Sequence, residues 1–197
     1  MINMELYITL NVILYNIIIY HVKGREPMYT ISQINDTNLD EFMNIMNGIF
    51  EHSPWIARIA FNEKPFPSLH HLHRCMVDVV KHASPEQQLT LIKAHPNLGE
   101  RIAMTNHSTE EQKGAGLQNL TNDEYEQFIK TNQEYMDKFG FPFILAVRGK
   151  NKHEIYESMK TRISSSKEIE FETALTEIYK IALLRLEEII KRKDDIL

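Results

Sequence analysis

Three short segments carry residues that could do proton chemistry together. The first is His95-Pro96-Asn97-Leu98-Gly99, the second Ser108-Thr109-Glu110-Glu111-Gln112, and the third Phe139-Gly140-Phe141-Pro142-Phe143-Ile144. Imidazole is the side chain best poised to move a proton near neutral pH. Pro96 pushes the backbone of His95 out of the α region, so a helix ending at Ala94 or His95 presents the ring at its rim. Ser108 and Glu111 stand three residues apart and share a face if helical. They also fit a capping box, and a capped helix start favours a bound anion through its free N–H groups. The third segment is aromatic and almost uncharged, and runs into Phe143-Ile144-Leu145-Ala146-Val147, the best strand-like or extended stretch in the chain. It suits the wall of a pocket. The combination points to an acid/base site with a backbone wall, not to a metal cage or a phosphate cradle. Each piece alone has a plainer reading: proline punctuation at His95, and a simple helix cap at Ser108.

Arg185 joins this set for a different reason. Phe171, Leu175, Ile178, Ile181, Ala182, Leu186 and Ile189 form the apolar stripe of the last helical segment, and Arg185 lies within that stripe. A guanidinium aimed inward requires an anion, because an unpaired buried charge is very costly. The anion is either an internal carboxylate or a ligand. Arg162 is a weaker candidate of the same kind.

The elements that must position these groups are helical in period. Leu39 to Ile49 repeats at three and four residues, with Asp36 or Asn38 as N-cap. Ser53-Pro54, Ser68, Ser84-Pro85 and Thr121-Asn122-Asp123-Glu124 each carry a helix-start signal, and Asn151 or Lys152 opens a further helix. The last helix is expected over 168–191. These signals predict an all-α, single-domain, multi-helix bundle over residues 28–197.

Bulk properties narrow the function classes. The chain has 197 residues and a formal net charge of −5, which disfavours nucleic acid or an anionic membrane as partner. Its one cysteine, Cys75, excludes an intrachain disulfide and a cysteine-based zinc site. With seven glycines and no glycine-rich loop, nucleotide chemistry is disfavoured. His70, His71, His73 and Cys75 cluster on one predicted helix, but the only i, i+4 pair is His71–Cys75 and no third ligand is near, so the cluster reads as a mixed helix face and no metal is expected. Residues 2–22 carry a single charge, Glu5, yet have neither the basic region nor the cleavage site of a secretory signal. Residues 1–27 are therefore expected to be an atypical apolar extension, with Met28 a candidate native start.

The motifs in their order resemble the OHCU decarboxylase family, OHCU being 2-oxo-4-hydroxy-4-carboxy-5-ureidoimidazoline. His95-Pro96-x-Leu-Gly, Ser108-x-x-Glu111-Gln112 followed by Ala115-Gly116-Leu117, Phe139-Gly-Phe-Pro-Phe-Ile144, Lys64-Pro65-Phe66 and Ile178-Tyr-Lys-Ile-Ala-Leu-Leu-Arg185-Leu carry the likeness across residues 28–197. It is most similar to the bacillus form that can precede a urate oxidase domain. The resemblance implies a cytoplasmic, usually homodimeric, cofactor-independent carboxy-lyase of urate catabolism, releasing CO2 and (S)-allantoin. A urate oxidase domain or protein is then a fusion or pathway partner. It assigns His95 as proton donor and Glu111 as its catalytic companion. Pro96, Ser108, Thr109, Glu110, Glu111, Gln112, Phe143, Ile144, Leu145, Ala146, Val147 and Arg185 match substrate-contacting positions. One departure is the short Met104-Thr105-Asn106-His107 loop, which lacks a Gly-x-Leu-Thr element common in the family. Two other readings are a non-catalytic all-α dimerisation module and a lyase or hydrolase for a related ureido acid. Convergence of His95, Glu111 and Arg185 on one pocket separates the first of these from catalysis.

Overall fold

The computed structural model describes residues 29–97 and 114–191. The apolar extension 1–27, Met28, and the Ser108–Gln112 segment with its preceding short loop lie outside the described residues. Eight α-helices are present among those described: α1 Ile31–Asp36, α2 Leu39–Ile45, α3 Pro54–Ala60, α4 Leu69–Lys81, α5 Pro85–Lys93, α6 Asn122–Phe139, α7 Lys152–Arg162 and α8 Lys167–Ile189. No strand occurs among the described residues, in agreement with the all-α expectation; an isolated parallel bridge joins Tyr29 to Ile190.

Most helix starts follow from local side-chain chemistry. Asn38, Ser84, Thr121 and Asn151 each cap their helix, and their backbone N–H groups donate the reciprocal bond of a capping box to Glu41, Gln87, Glu124 and Glu154. Ser68 and Ser166 cap α4 and α8 by a single bond. Helix α1, which the periodicity did not announce, is a six-residue turn of helix held by a Thr30–Gln33 capping box. Helix α2 ends at Ile45, short of the expected Ile49. The chain reverses there through Gly48 at φ 84°, a conformation a side chain would strain, and Ile49 and Phe50 enter the core from the turn instead.

Helix α8 is the hub. It is 23 residues long and packs against α4, α5 and α6. Its end is tied back to the described start of the chain by Tyr29 N–H to Ile189 O at 3.0 Å and Lys191 N–H to Tyr29 O at 2.8 Å. A second local core forms where α6 stops. Gly140 takes the left-handed cap at φ 79°, and its N–H bonds Met136 O at 2.8 Å. The turn lets Phe139, Phe141 and Phe143 gather around Tyr135, at centroid distances of 4.6, 6.1 and 5.3 Å.

The α4–α8 contact contains a titratable group. His73 donates from Nε2 to Tyr179 O at 2.8 Å. Burial pushes the His73 pKa below its ordinary value of 6.5, outweighing the opposite pull of the Tyr179 carbonyl. Below pH 6.5 the unfolded chain therefore takes up a proton that the folded chain refuses, and stability falls as pH drops through that range. His73→Gln, which keeps a donor for Tyr179 O, is expected to flatten the pH dependence of Tm between neutral pH and pH 5. An unchanged slope removes His73 as its source.

Candidate active site

His95 sits one residue beyond the C-cap of α5, and only 7% of it is exposed. Its backbone N–H still bonds Ile92 O at 3.2 Å, so the last turn of α5 carries the ring before Pro96 turns the chain away. The imidazole Nδ1 lies 2.9 Å from Leu91 O. A carbonyl oxygen can only accept, so Nδ1 carries the hydrogen and Nε2 is the nitrogen that gains and loses a proton. The helix fixes both the tautomer and the ring plane. An imidazole oriented in this way through Nδ1 is suited to exchange a proton at Nε2. Pro96 and Asn97, next to it, are half-buried.

The stretch Phe141 to Val147, expected to line the site, is wholly buried and makes neither helix nor sheet. Its backbone is held by charged side chains. Arg162, at the end of α7, donates from Nη1 to Ile144 O at 2.7 Å, and its guanidinium lies 4.4 Å from the centre of the Phe143 ring. Arg162 is in turn fixed by Glu170 on α8, through Nε at 2.9 Å and Nη2 at 2.5 Å to Oε1. The Tyr135 hydroxyl donates to the same oxygen. Burial, then the bond to Glu170, holds the Tyr135 phenol well above its usual pKa, so it remains a donor. Glu177 Oε2 accepts from the Ala146 N–H at 2.8 Å.

Arg185 is 1% exposed, as its place in the apolar stripe required. Its Nη1 donates to Gly48 O and to Glu51 Oε2, both at 2.8 Å, and Glu51 is equally buried. The internal carboxylate that the stripe demanded is therefore Glu51, delivered by the turn between α2 and α3. That turn contains two left-handed residues, Gly48 and His52, the latter at φ 45°.

Of the expected site residues, the structure thus describes His95, Pro96, Phe143 to Val147 and Arg185; Ser108, Thr109, Glu110, Glu111 and Gln112 lie outside the described residues. Helix α8 links these parts: it packs on α5, which carries His95, holds the 143–147 wall through Glu177, and bears Arg185. Sequence reasoning missed Glu51, Glu170 and Glu177. The last two had a signal, since they stand 15 and 8 residues before Arg185 on the same face of α8. In the histidine cluster, His71 Nδ1 lies 3.5 Å from Cys75 Sγ while His73 turns to Tyr179. No group of three His, Cys, Asp or Glu residues among the described ones is arranged to hold a metal.

Comparison with known proteins places this geometry. The sequence model of the OHCU decarboxylase family matches residues 35–187. The chain belongs to the OHCU decarboxylase family. The uric acid degradation bifunctional protein of Bacillus sp. (strain TB-90) is 45% identical over 168 residues, 85% of this chain and 34% of that protein. The corresponding bifunctional protein PucL of Bacillus subtilis is 46% identical over the same shares. The chain thus spans about a third of these two relatives. A 2-oxo-4-hydroxy-4-carboxy-5-ureidoimidazoline decarboxylase of Halalkalicoccus jeotgali is 43% identical over 84% of this chain and 94% of its own length. Among solved structures, an (S)-allantoin synthase superposes with TM-score 0.68 at 31% identity, covering 82% of this chain and 54% of that one. An OHCU decarboxylase determined with (S)-allantoin superposes at TM-score 0.61 and 23% identity, covering 76% and 96%, and shares the fold. The described candidate residues comprise an oriented imidazole, a buried backbone stretch and an anchored guanidinium.

Proposed function

We propose that the chain decarboxylates 2-oxo-4-hydroxy-4-carboxy-5-ureidoimidazoline to (S)-allantoin and CO2 without a cofactor, as a step of urate catabolism. The observation that carries this reading, beside membership of the family, is the His95 ring oriented by the bond of Nδ1 to Leu91 O, which makes Nε2 the nitrogen for proton transfer. When the bond to CO2 breaks, its electron pair moves into the neighbouring C=N and carbonyl system of the ring. The substrate is its own electron sink, so the protein has to orient the carboxylate, stabilise the shifting charge and protonate the new centre from one face. His95 delivers that proton from Nε2. Glu111 completes the acid/base pair, while Ser108, Thr109, Glu110 and Gln112 contact the substrate with Pro96. The Phe143 to Val147 backbone hydrogen-bonds the heterocycle, and Arg185 contacts the substrate from α8.

The same reading takes residues 28–197 as the catalytic domain, working as a cytoplasmic homodimer with a urate oxidase as fusion or pathway partner. No described helix is long and apolar enough to cross a membrane. The test is to mix freshly generated substrate with the pure protein and follow circular dichroism and NMR. The expected result is the circular dichroism of a single allantoin enantiomer, the S form, appearing faster than spontaneous decay. Racemic allantoin at the background rate overturns the reading.

A further inference from the structure

The wall segment is held on two of its backbone groups by charged side chains of opposite sign. The Ile144 carbonyl is taken by Arg162 at 2.7 Å and the Ala146 amide by Glu177 at 2.8 Å. Between them stands Leu145, whose N–H and C=O have no hydrogen bond among the described residues. In extended backbone, the groups of residues i and i+2 point to one side and those of i+1 to the other. A guanidinium can only donate and a carboxylate can only accept. The two anchors therefore read the polarity of the chain: a one-residue slip would set Glu177 against a carbonyl and Arg162 against an amide, both repulsive. The anchors are themselves fixed. Arg162 is gripped by the fully buried Glu170, which also receives the Tyr135 hydroxyl, and the second oxygen of Glu177 receives Lys180 Nζ at 2.6 Å.

We propose that Glu177 and Arg162 are positioning residues for ligand recognition. By each taking one backbone group on one edge of the 143–147 segment, they turn the Leu145 N–H and C=O to the opposite edge. There the two groups form a fixed donor–acceptor pair that matches the adjacent C=O and N–H of a cyclic ureide. A strand residue pairs with its neighbour in an antiparallel ladder by the same exchange of two bonds. The inference rests on the reading of 143–147 as the substrate wall, and deepens it by naming what aims the wall.

The test uses the full-length protein labelled with 15N, titrated with (S)-allantoin while the Leu145 and Ala146 amide resonances are followed. In the wild type the Leu145 amide is expected to shift saturably. In Glu177→Ala the same titration should require roughly tenfold more allantoin, and kcat/KM should fall about 10- to 100-fold, the scale of losing a charge-assisted bond that orients a reacting group. Glu177→Gln, whose amide oxygen still accepts from Ala146, should recover most of both. Arg162→Lys, which cannot serve Glu170 and Ile144 O together, is run in parallel and should behave as Glu177→Ala does; it replaces that variant if the alanine protein does not fold. A wild-type Leu145 amide that ignores allantoin overturns the wall reading itself. A wild-type response retained at equal affinity in Glu177→Ala and Arg162→Lys leaves the wall standing and overturns the positioning role. Failure of Glu177→Gln to recover binding at wild-type Tm also overturns it.

Discussion

His95→Asn is expected to lower turnover by roughly 10²-fold or more, the usual scale for losing a general acid, with Tm close to that of the wild type. The geometry makes asparagine the informative replacement. Its amide nitrogen falls near the position of Nδ1, so it can still donate to Leu91 O, at 2.9 Å in the wild type. Only the nitrogen assigned to proton delivery is deleted. His95→Ala removes both functions and is expected to cost about 1 kcal/mol more in stability through the lost bond. The Leu91 carbonyl keeps a partner there, since it also receives the Ala94 N–H at 3.3 Å. The stereochemistry of the product gives an independent readout. As the catalysed rate approaches the spontaneous one, optical purity of the allantoin should fall in step, because unassisted protonation does not choose a face. His95→Gln places an amide near Nε2 instead and should not restore turnover, since an amide holds no transferable proton near neutral pH. Near-normal turnover in His95→Asn would remove His95 from the donor role and leave Glu111 as the candidate acid.

What was legible beforehand follows the range of the interaction. Caps at Asn38, Ser68, Ser84, Thr121 and Asn151 are written in three or four consecutive residues, and the structure places a helix start at each. The inward-pointing Arg185 was legible from helical period alone. Its partner was not: Glu51 lies 134 residues away in sequence, and only the folded turn through Gly48 and His52 brings it there. The 143–147 segment looked like a strand because of its apolar composition, yet it forms no strand in the structure. Two of its backbone groups are held instead by Arg162 and Glu177, a solution that periodicity cannot distinguish from a ladder. Glu170 and Glu177 were within reach, since the argument that singled out Arg185 applies to every charged residue on that face of α8. On the site, His95 and its proline signal matched a committed helix-end geometry, whereas the roles of Ser108 to Gln112 rest on the family resemblance.

Arg185 is where stability and catalysis must be measured on the same variants. Arg185→Met removes the cation 2.8 Å from the buried Glu51 carboxylate, a change expected to cost about 3–5 kcal/mol and, for a chain of this size, to lower Tm by roughly 10 °C. Arg185→Lys keeps the charge but replaces a planar fork by a point donor, so it can hold Glu51 or Gly48 O and has no second face to offer a ligand. Its Tm should fall less than that of the methionine variant, while kcat/KM falls by tenfold or more, the range for a mispositioned reacting group. Neither result alone separates a structural arginine from a substrate-contacting one, because a destabilised site also works poorly. The double variant Glu51→Met with Arg185→Met does. Replacing a buried ion pair by well-packed apolar side chains is often neutral or stabilising, so the double variant should regain most of the Tm lost by Arg185→Met. If Arg185 contacts the substrate, that restored protein should remain as inactive as the single variant, because stability has returned and the guanidinium has not. Recovery of turnover together with Tm would assign Arg185 to the core, with Glu51 and Gly48 among its partners, and would leave substrate charge to be met by residues outside α8.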